Sequence, residues 1–491
     1  MQMTITIYLG TTAARIRCDE HCKFAEAPNV SIRDFLNLIT EKDWDPRFKR
    51  SIVKYYYFKY DRVNKMLYIP AYLTGFLVRY IEQCQMLSLV IKTEPCKWVT
   101  TNIQYHGKLV LRDYQEAAIE FLTEPQEDKC MRSLSLATGE GKSFIAIMAI
   151  LKLQRRALIV LPASLVDQWT SVFGELTNAK LMVLRGSKTV LDIIKSNYEI
   201  DADVILTSIQ TIQEYAVGNP QYKEAPLLQD FIRGLQVGVK IVDECHLNFN
   251  ANVMVDIQSD IDLNLYLSAT HIRSNKSSNS IFNKIFPAHI RYGELKVNTH
   301  INVTEVRYGL GQIETKAIST ERGYSQVKYE KYLLRQVTKL NRLIHYVFEP
   351  VLQKFFLEIK KPGQKLLILV GRVDFVNMLT EWLNEAHPIL VSNAYYNGVS
   401  DDILTESDVI ISTVGSAGTG KDIKGLRTMI LFTSFSSEPL NYQTIGRLRK
   451  MDDEPEFVFL VNSGIQAQLR HAAIKKGIYQ HMVKSYSRIE L

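Results

Sequence analysis

Ser133-Leu-Ser-Leu-Ala-Thr-Gly-Glu-Gly-Lys-Ser-Phe-Ile-Ala-Ile-Met-Ala-Ile-Leu-Lys-Leu153 decides the fold. A short β-prone run, Ser133 to Ala137, enters a glycine-rich turn, and the turn opens into a segment of helical pattern, Ser143 to Leu153. Successive backbone N–H groups in such a turn, with those of the helix start, can cradle a phosphate chain. Lys142 can reach the outer phosphates of that chain, and the Ser143 hydroxyl can ligate Mg2+. One position departs from the usual pattern: six residues before the lysine, where glycine is usual, stands Leu136.

Outward from this stretch the texture repeats. Short apolar runs at Ala157 to Leu161, Leu181 to Leu184, Asp203 to Leu206, Gly238 to Val242 and Leu263 to Leu267 alternate with helical patterns such as Ser164 to Leu176. That alternation predicts βαβ units and a parallel sheet covered on both faces. A second series, at Lys365 to Val370, Ile389 to Val391, Asp408 to Ser412, Thr428 to Phe432 and Phe457 to Val461, predicts a second such sheet. A long helical pattern, Leu333 to Phe356, introduces it, and helical patterns at Asp374 to Glu385 and Leu440 to Leu448 lie within it. The first hundred residues differ, being aromatic, basic and poor in glycine; they predict a small α+β module with a hairpin of Lys54 to Tyr60 against Lys65 to Tyr72. The expected domains are 1–97, 98–300 and 301–491.

The bulk properties agree. A chain of 491 residues should hold about three domains at roughly 150 residues each. Apolar residues at 46% and charged residues at 23% exclude a disordered chain, a collagen-like repeat or a coiled-coil rod. The longest apolar stretch, Phe144 to Leu151, falls far below the roughly 18 residues of a membrane helix. The N-terminus has no cationic leader, and six scattered cysteines are no disulfide framework, so a reducing, cytoplasmic setting is expected, with no membrane partner. A formal charge of +7 suits a partner made of phosphates. Cys18 to Cys22 lacks a matching second ligand pair for zinc, and the basic tail Arg470 to Arg488 reads as a solvated helix face.

Asp243-Glu-Cys-His246 follows the apolar run ending at Val242. An acid at a strand end can hold a metal ion, and a second acid beside it can orient and deprotonate a water. A phosphate cradle and a metal-holding acid at neighbouring strand ends are what phosphoryl transfer requires.

Around those two motifs, the chain from Leu111 to Lys450 resembles the superfamily 2 helicases and translocases, motif by motif and in order. Leu111-Arg-Asp-Tyr-Gln115 resembles the adenine-recognising glutamine motif, and Ala137 to Ser143 motif I. Leu161-Pro-Ala-Ser-Leu165 with Gln168-Trp169 resembles motif Ia, and Thr207-Ser-Ile-Gln-Thr211 the nucleic-acid-contacting segment after it. Asp243 to His246 is similar to a DEAH-type motif II with cysteine in third place, and Leu267-Ser-Ala-Thr270 to motif III. Leu366 to Arg372, Ser412 to Asp422 and Gln443 to Lys450 resemble motifs IV, V and VI.

The resemblance implies two tandem RecA-like domains, with ATP and Mg2+ in the cleft between their sheets and nucleic acid lying across both. It implies ATP contacts from Arg112, Gln115, Thr138, Gly139, Glu140, Gly141, Lys142, Ser143, Gly420 and Asp422, and Mg2+ held by Ser143 and Asp243. Glu244 would activate water, Ser268 and Thr270 would couple nucleotide to nucleic acid, and Pro162, Thr207, Gln210 and Thr413 would touch the nucleic acid. Lys142, Gln443, Arg447 and Arg449 complete the catalytic set. Motif VI departs from its pattern: the second arginine is expected where Lys450 stands, and Arg449 lies one place earlier.

From Arg47 to Lys65 the module carries Arg47, Lys49, Arg50, Lys54, Lys59, Arg62 and Lys65 against the single acid Asp61, interleaved with aromatics. Such a run suits phosphate contacts and stacking on bases; a hairpin with one aromatic core face and one solvated basic face would also carry it. The pattern resembles the module before the core in UvsW-type phage helicases, which implies an ATP-dependent enzyme on forked, Holliday-junction, D-loop or R-loop DNA, RNA–DNA hybrids included, in the host cytoplasm. An RNA helicase, or a non-catalytic binding protein on a helicase scaffold, is the alternative. The sequence leaves the oligomeric state open and is compatible with a monomer.

Overall fold

Residues 157–161, Ala-Leu-Ile-Val-Leu, alternate between two apolar cores: Leu158 and Val160 enter one, Ala157, Ile159 and Leu161 the other. A strand buried on both faces needs a sheet covered on both faces, and the computed structural model has two such sheets. It describes residues 3–491 apart from 11–12, 19–22, 25–26, 46–49, 83–86, 94–95, 125–130, 137–139, 219–221, 223–224, 269–275, 294–297, 322, 397 and 417–422. The chain falls into two compact units, one of residues 1–136 and 141–294, the other of residues 137–140 and 295–491.

In the first unit seven parallel strands stand in the order Leu181–Leu184, Val204–Ser208, Ala157–Leu161, Val239–Val242, Leu263–Ser268, Met131–Ser135 and Arg291–Tyr292. In the second unit the order is Ser392–Tyr395, Val409–Thr413, Lys365–Val370, Leu426–Leu431, Glu456–Asn462, Asn298–Tyr308 and Val483–Glu490. Numbered along the chain, both sheets read 3-4-2-5-6-1-7. The two units are therefore two copies of one doubly wound topology, the tandem RecA-like architecture.

The helices Asp113–Thr123, Lys142–Leu153 and Val166–Leu176 cover one face of the first sheet. The other face shares its core with the N-terminal module, whose Ile5, Ile7, Ile16, Leu67 and Ile69 join the same cluster as Phe249, Phe282 and Phe286. The module is a five-stranded sheet with strands Met3–Leu9 and Leu87–Thr93 paired in parallel, plus the helices Arg33–Leu38 and Thr74–Glu82.

Some expectations need correction. The strand expected at Lys54 to Tyr60 breaks, because Tyr57 turns inward: it is buried, donates to Glu41 Oε2 at 2.7 Å and packs near Phe249. Arg50–Tyr56 pairs instead with Thr40–Asp45, while Lys59–Asp61 makes the expected hairpin with Met66–Pro70. The strand expected at Ile389 to Val391 lies just beyond, at Ser392–Tyr395. The long helical pattern from Leu333 to Phe356 is a succession of short helical segments. The basic tail is a solvated helix face only in part: the helix Gln466–Tyr479 exposes Arg470 and Lys476, but it gives way to the strand Val483–Glu490, and Lys475 is buried, donating to Asn441 Oδ1 at 2.6 Å over the ring of Phe435. Burial holds that ammonium well below its ordinary pKa.

Candidate functional site

The strand Leu263–Ser268 lies between the strand that leads into motif I and the strand that leads into motif II. Its last residue touches both neighbours. The Ser268 carbonyl accepts the Leu136 N–H at 3.2 Å, and Ser268 Oγ lies 2.9 Å from His246 Nδ1. Cys245 N–H bonds the Leu267 carbonyl at 3.0 Å, so the sheet ladder carries the motif II turn onward.

Leu136, the departure in motif I, is accommodated without strain. Its side chain is buried in the core with Ile145 and Leu267, and its backbone is not left-handed. Its carbonyl accepts Lys142 Nζ at 3.0 Å, which folds the buried lysine back over the start of the loop. Thr138 and Gly139 lie outside the described residues; Glu140 and Ser143 are half-buried. Gly141 caps the helix Lys142–Leu153 with φ of 83°, where a side chain would be strained. A Cβ there would stand 2.6 Å from Gln115 Nε2. Gln115 itself is fixed by its helix start, its Oε1 accepting the Arg112 N–H at 3.0 Å. The structure thus brings Gln115, Gly141 and Lys142 together.

Asp243 is buried at the end of Val239–Val242. Its Oδ1 accepts the Glu244 N–H at 2.9 Å and its Oδ2 the Trp169 indole N–H at 3.1 Å. Burial, and then the neighbouring Glu244 charge, push its carboxyl above the ordinary range, while Lys142, the Glu244 N–H and Trp169 oppose the rise. Glu244 adopts φ of 48°, a left-handed turn that swings the second carboxylate beside the first. Among the described residues its buried Oε2 has no hydrogen bond; His246 Nδ1 stands 3.3 Å away and lies 2.9 Å from Ser268 Oγ. Two neighbouring carboxylates, within electrostatic range of one lysine and with one oxygen lacking a hydrogen bond among the described residues, fit a divalent cation with its waters.

The segments read as nucleic-acid contacts are mixed. Pro162 is half-buried and Gln210 exposed, but Thr207 is fully buried and its hydroxyl donates to the Leu184 carbonyl at 3.2 Å. Any contact along that segment falls to its exposed neighbours. In the second unit Thr413 is half-buried, donating to Ser416 Oγ at 2.9 Å. Gln443 is buried on the helix Glu438–Ile445, and Arg447 is buried in the turn after it, its charge felt at the Tyr395 hydroxyl. Arg449 is half-buried and donates to the Gly446 carbonyl at 3.1 Å, whereas Lys450 is exposed. Thr270, Gly420 and Asp422 lie outside the described residues.

The basic run of the module is less one-sided than its sequence. Arg47 and Lys49 lie outside the described residues. Strand Thr40–Asp45 sets Asp45 opposite Arg50 in register, and Lys54 Nζ lies 3.6 Å from Glu41. Lys59 turns inward to the Gln258 side chain, and burial lowers its pKa. Arg62 and Lys65 are exposed, as are Tyr55 and Tyr56. Two residues that sequence reasoning quoted without a role, Trp169 and His246, prove to contact the acid pair; their place inside motifs was the signal.

The family model described as type III restriction enzyme, res subunit, matches residues 108–273. Among solved structures, S. cerevisiae Dbp5 bound to RNA and ADP BeF3 is similar with a TM-score of 0.50 at 14% identity, covering 77% of this chain and 89% of that one. T4 UvsW is similar at 15% identity over 99% of this chain and 100% of that one, with a TM-score of 0.36. No curated protein matches the sequence. The likeness to Dbp5 shows the fold, and the family model matches about a third of the chain. Among the described residues, no helix is long and apolar enough to cross a membrane, and no cluster of three or more His, Cys, Asp or Glu could hold a metal by itself.

Proposed function

We propose that the chain is an ATP-dependent DNA helicase or translocase that unwinds or branch-migrates forked, Holliday-junction, D-loop or R-loop DNA, serving recombination, replication or repair. The observation that carries the hydrolytic part is the Asp243-Glu244 pair, Asp243 buried and Glu244 half-buried, within electrostatic range of Lys142. Bound ATP supplies the phosphoryl bond to be broken, and Mg2+ neutralises its phosphate charge. Lys142 and the backbone around Gly141 bind phosphates, with Thr138, Gly139 and Glu140 of the same sequence motif. Ser143 and Asp243 would hold the metal, and Glu244, with an unsatisfied oxygen, takes the proton of the attacking water. Gln115 and Arg112 select the nucleotide, and Ser268 with Thr270 relays its state. In the second unit Gln443, Arg447 and Arg449 act on transition-state charge, and Gly420 and Asp422 assist in nucleotide binding.

The choice of DNA rests on the resemblance of residues 45–70 to the UvsW-type module, with exposed Arg62, Lys65, Tyr55 and Tyr56 supporting a nucleic-acid role. We assign residues 1–97 to that module, 98–300 to the first helicase domain and 301–491 to the second. The test is ATP hydrolysis and strand separation over single strands, duplexes, forks, four-way junctions, R-loops and RNA duplexes. Branched DNA should give the largest stimulation; equal or greater stimulation by RNA duplexes would replace DNA with RNA in this reading.

A further inference from the structure

We infer that Trp169 is a positioning residue for the metal-holding acid, an inference that rests on the proposed role of Asp243. The indole has one donor and no acceptor, and Trp169 spends that donor on Asp243 Oδ2 at 3.1 Å. The ring is 2% exposed and packs near Phe173, on the same helix Val166–Leu176. The other carboxylate oxygen is held by the Glu244 N–H. With one donor on each oxygen, the Asp243 carboxylate has a single orientation, and each oxygen keeps a lone pair for a ligand. Only the Glu244 bond is local; Trp169 comes from 74 residues away in sequence. Loss of its N–H frees the carboxylate to rotate about its last torsion, and a freely rotating carboxylate binds a cation less well than a fixed one.

The placement of the helix adds a consequence. It directly follows Pro162 to Leu165, and its Gln168 is exposed while the adjacent Trp169 is buried against the acid. One helix therefore carries both an outward side chain of the proposed nucleic-acid segment and the inward donor that orients Asp243.

The test replaces Trp169 by benzothienylalanine, which keeps the ring's shape and lacks the N–H, with Trp169→Phe as a second variant. Mn2+ binding to the full-length protein in the presence of ADP is followed by electron paramagnetic resonance, beside the Mg2+ dependence of ATP hydrolysis and the melting temperature. Phe173→Leu serves as a packing control. Both Trp169 variants should weaken Mn2+ binding by about 5- to 30-fold, with hydrolysis partly restored by high Mg2+, because second-sphere losses commonly cost about 10- to 100-fold. Phe173→Leu should lower the melting temperature and leave Mn2+ affinity unchanged. Unchanged Mn2+ affinity in the benzothienylalanine protein would overturn the inference while leaving the proposed function standing. A wild-type protein that bound no Mn2+ with ADP would overturn the proposed function first.

Discussion

Arg447 is enclosed and Arg449 half-enclosed, while Lys450, at the position where the motif calls for arginine, lies in solvent. A finger that neutralises transition-state charge is worth about 10³–10⁵ in rate. Arg447→Ala and Arg449→Ala should each lower stimulated ATP turnover by about 10²-fold or more, and Lys450→Ala by less than about 3-fold. Steady-state hydrolysis at saturating ATP decides it, and a crippled Lys450→Ala beside a silent Arg449→Ala would reverse the assignment. Gly141 offers a second residue to test. Its left-handed backbone would cost a side chain about 1–2 kcal/mol, and a new Cβ would press on Gln115 Nε2. Gly141→Ala should lower both the melting temperature and the affinity for fluorescent ADP; unchanged nucleotide affinity would remove Gly141 and Gln115 from the binding site. What the sequence could not disclose here is contact. Trp169 and Asp243 sit in recognisable motifs, but their hydrogen bond depends on strand order, which no local pattern encodes.

The central strands were legible because they are short, apolar and bounded by polar turns, as at Ala157–Leu161 and Lys365–Val370. Two strands of the second sheet were not. Asn298–Tyr308 intersperses Asn302, Thr304, Glu305 and Arg307 among its apolar residues, and Val483–Glu490 is an edge strand with five of its eight residues exposed, so neither shows an apolar run. The ribbon of Thr40–Asp45 and Arg50–Tyr56 shows the same limit for charge, since the acids opposite its cations become visible only with register. Arg62 and Lys65, on the neighbouring hairpin turn, remain as exposed cations. If both contact duplex phosphates, Arg62→Ala with Lys65→Ala should flatten the slope of log K against log salt by about 1.8, at roughly 0.9 per contact. Fluorescence anisotropy on a fork over a salt series measures it, and an unaltered slope would confine the module to a structural role. A different element gives a pH signature. Glu330, fully buried on Gln326–Arg335, accepts the Gly371 N–H at 2.7 Å at the end of strand Lys365–Val370. Burial pushes its carboxyl up to about 7, against its hydrogen bonds to Gln326 and the loop. A carboxyl with a raised folded pKa stabilises the fold fully below its unfolded value of 4.5 and loses that stabilisation as pH rises towards about 7. Glu330→Gln should therefore flatten the fall in melting temperature between pH 5 and 8, a difference worth about 1–3 kcal/mol. Parallel melting curves for both proteins would show that Glu330 does not titrate in that window.

Two sheets of identical strand order mean that the chain uses one topology twice, with different side chains at the strand ends. The first unit places the acid pair, and Lys142 with the Gly141 helix start, at the ends of the two strands that flank Leu263–Ser268; the second places Gln443 and Arg447 on one helix and the turn after it. Both the fold and this division of residues were readable from motif order, because strand–loop–helix punctuation carries it. Under the proposed function this arrangement hydrolyses ATP in response to nucleic acid, with Glu244 as the base. The most direct measurement is steady-state ATP hydrolysis by wild-type protein and Glu244→Gln, with and without forked DNA, beside nucleotide binding by both. Wild type should be stimulated by the fork, and Glu244→Gln should lose about 10²–10⁴ of that rate while binding Mg-ATP normally. Stimulated hydrolysis that survives in Glu244→Gln would contradict the account.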